Sequence, residues 1–211
     1  MVRPMVRLIL MRHGTTDYHA ARRYCGFSNP PLNHEGTWQS RQLAARLKDL
    51  RIDKIYASDL MRARQTAKIV FENESIEQAT DLREMNFGVF EGLRHEKIME
   101  RYPVLYRDWV DNPAKVKPPN GEGLRDLSAR VKEKIAAILS QHAGKTVAVV
   151  SHGGPIRIVL CDALQFDLTM FWQIRQECGA LNVIDYADGA PPAAVAVNDV
   201  SHLSAPETVR L

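Results

Sequence analysis

The chain has 211 residues, 45% of them apolar, with 28 lysines and arginines against 25 aspartates and glutamates. That is an ordinary globular composition, long enough to bury a substantial core, and the formal net charge of +3 argues against a nucleic-acid surface. No apolar run approaches the length of a membrane span, and the three cysteines (Cys25, Cys161, Cys178) fit no zinc spacing. Reduced thiols in a cytoplasmic protein are expected, and the apolar run near the start is too short for a signal peptide.

Residues 8–11 are a run of apolar side chains, which suits a strand buried on both faces. The run ends abruptly in Arg12-His13-Gly14. Prolines and glycine predict a loop from there to Pro31, and Asn33 is placed to cap a helix carrying Leu43, Leu47 and Leu50. A short strand over 54–57 leads to Ser58 or Asp59, either a candidate cap for a helix over 60–71. Arg62 lies in the first turn of that helix, where a cation opposes the helix dipole. It is well placed if it and the helix terminus face an anion together.

Residues 76–82 are expected as another strand. The turn that follows, Arg83 to Gly92, carries two aromatics and two carboxylates, Glu84 and Glu91. A carboxyl among aromatic rings has its pKa raised by desolvation, which suits a general acid. The residues alone do not choose between the two, and one of them is expected to cap a helix starting near Arg94. Residues 95–111 are expected to be helical with a break at Pro103, and 112–123 to be a flap or a connector.

A helix over 124–142 is predicted from the stripe Leu127, Val131, Ile135, Ile138 and Leu139. A strand over 146–150 then ends in Ser151-His152-Gly153-Gly154, repeating the arrangement at His13. Pro155 suits the first turn of the next helix, and the amides of Gly153 and Gly154 are expected to point at a bound anion. A helical piece near 167–172, strands over 180–186 and 193–197, and a loosely held final dozen residues complete the reading.

Ligands in open α/β sheets bind at the carboxyl ends of the strands. Two arginines and two histidines at such ends match a phosphate monoester. Arginine binds phosphate oxygens and stays charged, and a neutral imidazole is a competent nucleophile at phosphorus. A second, protonated histidine would stabilise the equatorial oxygens. Zinc is the rival use of paired histidines, and the neighbouring arginines argue against it. No nucleotide-binding glycine motif is present.

Four segments, Leu10-Met11-Arg12-His13-Gly14, Ser58 to Ala67, Arg83 to Gly92 and Val150 to Gly154, resemble the histidine phosphatase superfamily, the phosphoglycerate mutase-like proteins. They occur in the family's order and span nearly the whole chain. The resemblance implies a three-layer α/β/α sandwich with a mostly parallel sheet, formed by residues 1–211 as one domain. It implies His13 as the phosphorylated nucleophile, with Arg12, Arg62 and His152 completing the phosphate pocket and Glu84 as proton donor and acceptor. It implies a metal-independent, cofactor-free phosphomonoesterase.

The loop Tyr24 to Asn33 is similar to that of α-ribazole phosphatases. Arg12, His19, Cys25, Gly26, Arg62 and Gly153 are therefore expected to meet the substrate, which is α-ribazole phosphate or another small phosphorylated metabolite. The alternatives are a phosphoglycerate mutase and a non-catalytic phospho-ligand binder. No nucleic acid or membrane partner is expected, and homo-oligomerisation is compatible with the sequence. His19 stands where the family often has asparagine, and Gly123 stands where it has serine, at the cost of a weaker helix cap.

Overall fold

The structure is a computed structural model that describes residues 5–204. Strand β1 (Met5–Arg12) leads through a short helix α1 (Asp17–Ala20) to α2 (His34–Leu47), β2 (Lys54–Ser58), α3 (Met61–Val70) and β3 (Ile76–Ala79). Helices α4 (His95–Arg101), α5 (Pro103–Asp111) and α6 (Leu124–Gln141) precede β4 (Thr146–Ser151) and α7 (Gly153–Ala163). The chain closes with β5 (Leu181–Ala187) and β6 (Ala193–Asp199).

The six strands form one sheet in the order β3-β2-β4-β1-β5-β6. The ladders joining β3, β2, β4 and β1 are parallel, and those joining β1 to β5 and β5 to β6 are antiparallel. Strand residues alternate between two cores. Leu8, Leu10, Val147 and Val149 face the α6 stripe of Leu127, Val131 and Ile135 together with α7. Ile9, Met11, Ala148 and Val150 face Leu43 and Leu47 of α2 and Ala63 and Ala67 of α3. These two cores make the three layers. Truncating a central side chain such as Leu10 to alanine costs about 3 kcal/mol, from lost transfer energy and a cavity.

Several local expectations change. The strand over 76–82 stops at Ala79; a turn over Thr80–Leu82 follows, closed by the Arg83 amide on the Thr80 carbonyl, and it sinks Leu82 into the core. Helix α2 ends at Leu47, and Leu50 is exposed. Neither Ser58 nor Asp59 is the N-cap of α3; that position is Leu60, while Asp59 pairs with Arg83. The 112–123 segment is tied to the turn before it, since Val89 and Glu122 amides bond the Pro119 and Asn86 carbonyls respectively. Gly88, at φ +51, leaves no room for a side chain beside Pro119 and Gly121.

The final dozen is not loose throughout. Ser201–Leu203 form a turn, and His202 Nε2 lies 3.0 Å from the Gly179 carbonyl. Residues 205–211 lie outside the described residues. Among the described residues no helix is long and apolar enough to cross a membrane.

Candidate active site

Four neighbouring parallel strands, β3, β2, β4 and β1, run the same way, so their carboxyl ends share one edge of the sheet. Each delivers a polar group there. Strand β1 ends in Arg12 and His13, β4 in Ser151 and His152, β2 in Ser58 with Arg62 a turn later, and β3 leads through its turn to Glu84. Strand pairing sets the alignment, with Arg12 opposite Ser151. Residues distant in sequence are thereby brought together: the His13 and His152 rings lie 5.0 Å apart, edge to face.

His13 is buried and its tautomer is fixed by its partners. Nδ1 lies 2.7 Å from the Gly14 carbonyl, which can only accept. Nε2 lies 3.1 Å from Arg62 Nε, which can only donate. The proton is therefore on Nδ1, and Nε2 offers its lone pair. Burial first, and then the charges of Arg62 and Arg12, hold this imidazole well below its usual range, so it is neutral.

Arg62 is fully buried rather than a solvated surface arginine. Its Nη1 donates to the Ser28 carbonyl, and its Nη2 donates to those of Cys25 and Gly26. Cys25 and Gly26 thus contribute backbone oxygens that aim the guanidinium. Gly26 must be glycine, because a Cβ there would come within 2.0 Å of the Met85 carbonyl.

His152 is also buried, and Ser58 is the partner that sequence reasoning missed. The Ser58 hydroxyl accepts the Leu60 amide at 3.3 Å and lies 2.8 Å from His152 Nε2. The arrangement satisfying all three groups sends the Ser58 proton to Nε2 and leaves the ring proton on Nδ1. That Nδ1 is buried without a partner among the described residues. Burial, and then Arg62 and Arg12, keep His152 well below its usual pKa. In this arrangement His152 is a neutral N–H donor rather than the imidazolium that the sequence reading considered.

The two carboxylates of the 83–92 turn part ways. Glu91 accepts from the amides of Gly26, Phe27, Ser28 and Phe87 and from the Ser28 hydroxyl. Among the described residues Glu84 accepts only the Met85 and Gly154 amides. Neither caps α4, whose N-cap is Arg94 with no side-chain bond. The Gly154 amide, expected to face a bound anion, is held by Glu84, with both carboxylate oxygens at 3.1 Å.

Arg12 donates from Nη1 to the Gln176 carbonyl at 2.5 Å, and its Nε is buried with no partner among the described residues. Gly153 lies beneath it: a Cβ there would sit 3.6 Å from Arg12 Nε. A second guanidinium, Arg157, reaches the same glycine, with Nη1 3.2 Å from that Cβ position. Sequence reasoning missed Arg157. The available signal was a single arginine in the otherwise apolar first nine residues of α7.

His19 bonds Thr16 through Nδ1 at 2.8 Å, and its ring lies 5.0 Å from that of His13. Burial, Arg12 and Arg62 push its pKa down to about 3. A cleft of about 530 Å³ opens beside Arg12 and His19, with Thr15, Gln39 and Cys178 on its walls. Ligand atoms of His13, His19 and Cys178 fall within 4.8 Å of one another. The field of Arg12 and Arg62 nevertheless opposes a cation there, and His13 Nε2 already accepts from Arg62. All three cysteines are free thiols.

Neutral imidazoles and arginines lacking carboxylate partners, gathered where an α/β sheet ends, define a protein built to handle an anion such as phosphate. The match of residues 8–200 to the family model described as histidine phosphatase superfamily (branch 1) makes the class specific: the chain belongs to that superfamily. It is an enzyme of the phosphatase class. Phosphoserine phosphatase 1 of Hydrogenobacter thermophilus is 36% identical over 182 residues, covering 85% of this chain and 86% of that one. The adenosylcobalamin/alpha-ribazole phosphatase of Salmonella typhimurium is 30% identical, covering 87% and 92%. The structure of Bacillus stearothermophilus YhfR superposes with a TM-score of 0.88 at 29% identity, over 94% of this chain and 100% of that one.

Proposed function

We propose that the protein is a metal-independent phosphomonoesterase working through a phosphohistidine at His13, in two steps. A phosphate ester enters with its oxygens taking the N–H groups of Arg62, Arg12 and His152 Nδ1. His13 Nε2, released from Arg62, attacks phosphorus, and the bond to the ester oxygen breaks. Glu84 in its acid form gives its proton to the leaving oxygen, releasing the alcohol. Water then loses a proton to the Glu84 carboxylate and attacks the phosphohistidine. The P–N bond breaks, and phosphate and neutral His13 are regenerated. Gly153 and His19 border the phosphate, with the Cys25 and Gly26 carbonyls aiming Arg62.

The observation that carries this reading is the fixed tautomer of His13: Nδ1 is bound to Gly14, and the unprotonated Nε2 accepts only from Arg62 Nε at 3.1 Å among the described residues, a bond that an entering phosphate oxygen can replace. The named relatives support a small phosphorylated metabolite as substrate, with phosphoserine and α-ribazole phosphate the first to try. We place the enzyme in the cytoplasm, which the three free thiols support, and residues 1–211 act as one domain.

The test is phosphate release from a panel of phosphomonoesters with EDTA present, paired with acid-quench trapping of labelled phosphoprotein. Wild type should release phosphate and carry acid-labile label. His13→Ala should lose turnover and label together, and full activity in that variant ends the nucleophile assignment. Isomerisation of 3-phosphoglycerate without phosphate release would identify a mutase instead.

A further inference from the structure

Arg157 has no task in the reaction just described, yet its guanidinium stands beside that of Arg12 over Gly153. Its Nε donates to the Ile174 carbonyl at 2.7 Å. Its Nη atoms have no hydrogen-bond partner, and it makes no salt bridge, among the described residues. Arg7, Arg83 and Arg130, by contrast, are each paired with a carboxylate. The Arg157 guanidinium lies over the rings of Phe171 and Trp172, with Cζ 5.5 and 5.7 Å from their centroids. Burial, then Arg12, push its pKa down to about 10 against the opposing pull of Glu84 and Glu177, so it remains charged at neutral pH.

Two cations braced side by side need a reason. Arg12 rests on the Gln176 carbonyl and Arg157 on that of Ile174, two residues away. Both close over Gly153, whose missing side chain makes the room. The next residue, Gly154, carries Glu84, with one carboxylate oxygen 2.1 Å from where its Cβ would be. Consecutive Cα atoms are about 3.8 Å apart. The acid that serves the leaving oxygen and the spare guanidinium therefore stand on adjacent residues of one helix turn.

We infer that Arg157 is a specificity-determining residue that binds an anionic group, a carboxylate, on the leaving alcohol one or two carbons from the ester oxygen. The inference rests on the phosphomonoesterase reading for which oxygen leaves. Bidentate pairing with a carboxylate uses the two Nη atoms that have no partner among the described residues, beside the rings of Phe171 and Trp172. The ligand class is a phosphorylated hydroxy or amino acid, and neutral sugars and amino alcohols lack the matching charge.

Phosphoserine and phosphoethanolamine differ by that one carboxylate. Calorimetric titration of both into the His13→Ala protein measures binding without turnover. Phosphoserine should bind about tenfold or more tightly than phosphoethanolamine. Adding Arg157→Gln should reduce that ratio to near one, and Arg157→Lys should retain part of it. A ratio near one in the His13→Ala parent, or a ratio that survives Arg157→Gln, overturns the inference. The two readings fail separately. Wild-type phosphate release without the binding ratio removes Arg157 alone; the ratio without phosphate release removes the esterase reading and keeps the anion site.

Discussion

Glu84 and Glu91 leave the same ten-residue turn and end in opposite circumstances. Five donors converge on Glu91, four of them from the 26–28 loop and one from Phe87. Its lone pairs are consumed in holding the loop whose carbonyls hold Arg62. Glu84 is buried but among the described residues accepts only the Met85 and Gly154 amides, which leaves capacity for a proton. A carboxylate surrounded by donors serves the architecture, and one left short of donors is available to chemistry.

The sharpest way to break this contrast is to neutralise each in turn. Glu84→Gln should lower kcat by about 10²–10⁴-fold, the usual worth of a general acid, with thermal stability nearly unchanged. Stopped turnover assays and a melting curve check both halves; a kcat within twofold of wild type would place the proton transfer elsewhere. Glu91→Ala orphans five donors and should destabilise the fold by about 3 kcal/mol, lowering Tm by roughly 6–12 °C. The comparison fails if Glu91→Ala melts like wild type and loses activity like Glu84→Gln.

A smaller effect tests the orientation of His152. Ser58→Ala removes the partner of Nε2 and frees the ring to place its proton on either nitrogen. A fall of about tenfold in kcat/KM is expected, corresponding to one hydrogen bond, and wild-type kinetics would show that Nδ1 needs no such support.

Acid should then weaken the protein before its carboxylates titrate. His13, His152 and His19 have folded pKa values below the unfolded 6.5, so the unfolded chain binds more protons below that pH. Their stabilisation is complete above pH 6.5 and is lost as pH falls toward the folded values, at up to about 1.4 kcal/mol per unit for each ring. Urea unfolding at pH 7.5, 6 and 5 measures the slope, and His19→Asn should reduce it by about a third. A flat profile across that window would mean the rings are not held neutral. The smallest change is Gly123→Ser, at a position with extended backbone where the Asp126 carboxylate already accepts the Gly123 amide. A gain of a few tenths of a kcal/mol is expected from the added side-chain cap.

These differences explain what sequence could and could not disclose. Strand ends are legible because apolar runs stop abruptly, and so His13, His152, Arg12 and Arg62 could be placed at one edge before any coordinates. The break at Pro103 and the α6 stripe are equally local signals. The choice between Glu84 and Glu91 is not local. It depends on Gly26, Phe27 and Ser28 for one and Gly154 for the other, residues brought near only by the sheet. Ser58 looked like a helix cap because its type suits one; its position beside His152 follows from β2 pairing with β4. Arg157 was hidden in an apolar stretch, where one charge is easily passed over.

The sheet order also has a consequence for synthesis. Strand β4 lies between β1 and β2, which do not touch each other in the ladder. As the chain emerges from the ribosome, its first two strands must wait without their shared neighbour until residue 151 is made. The backbone around His13 waits longer still, since the Arg12 amide bonds the Ala180 carbonyl and the Gly179 amide bonds the His13 carbonyl. A nascent chain lacking its last hairpin cannot close the pocket. An incomplete translation product that lacks β4 presents unpaired strand edges on β1 and β2.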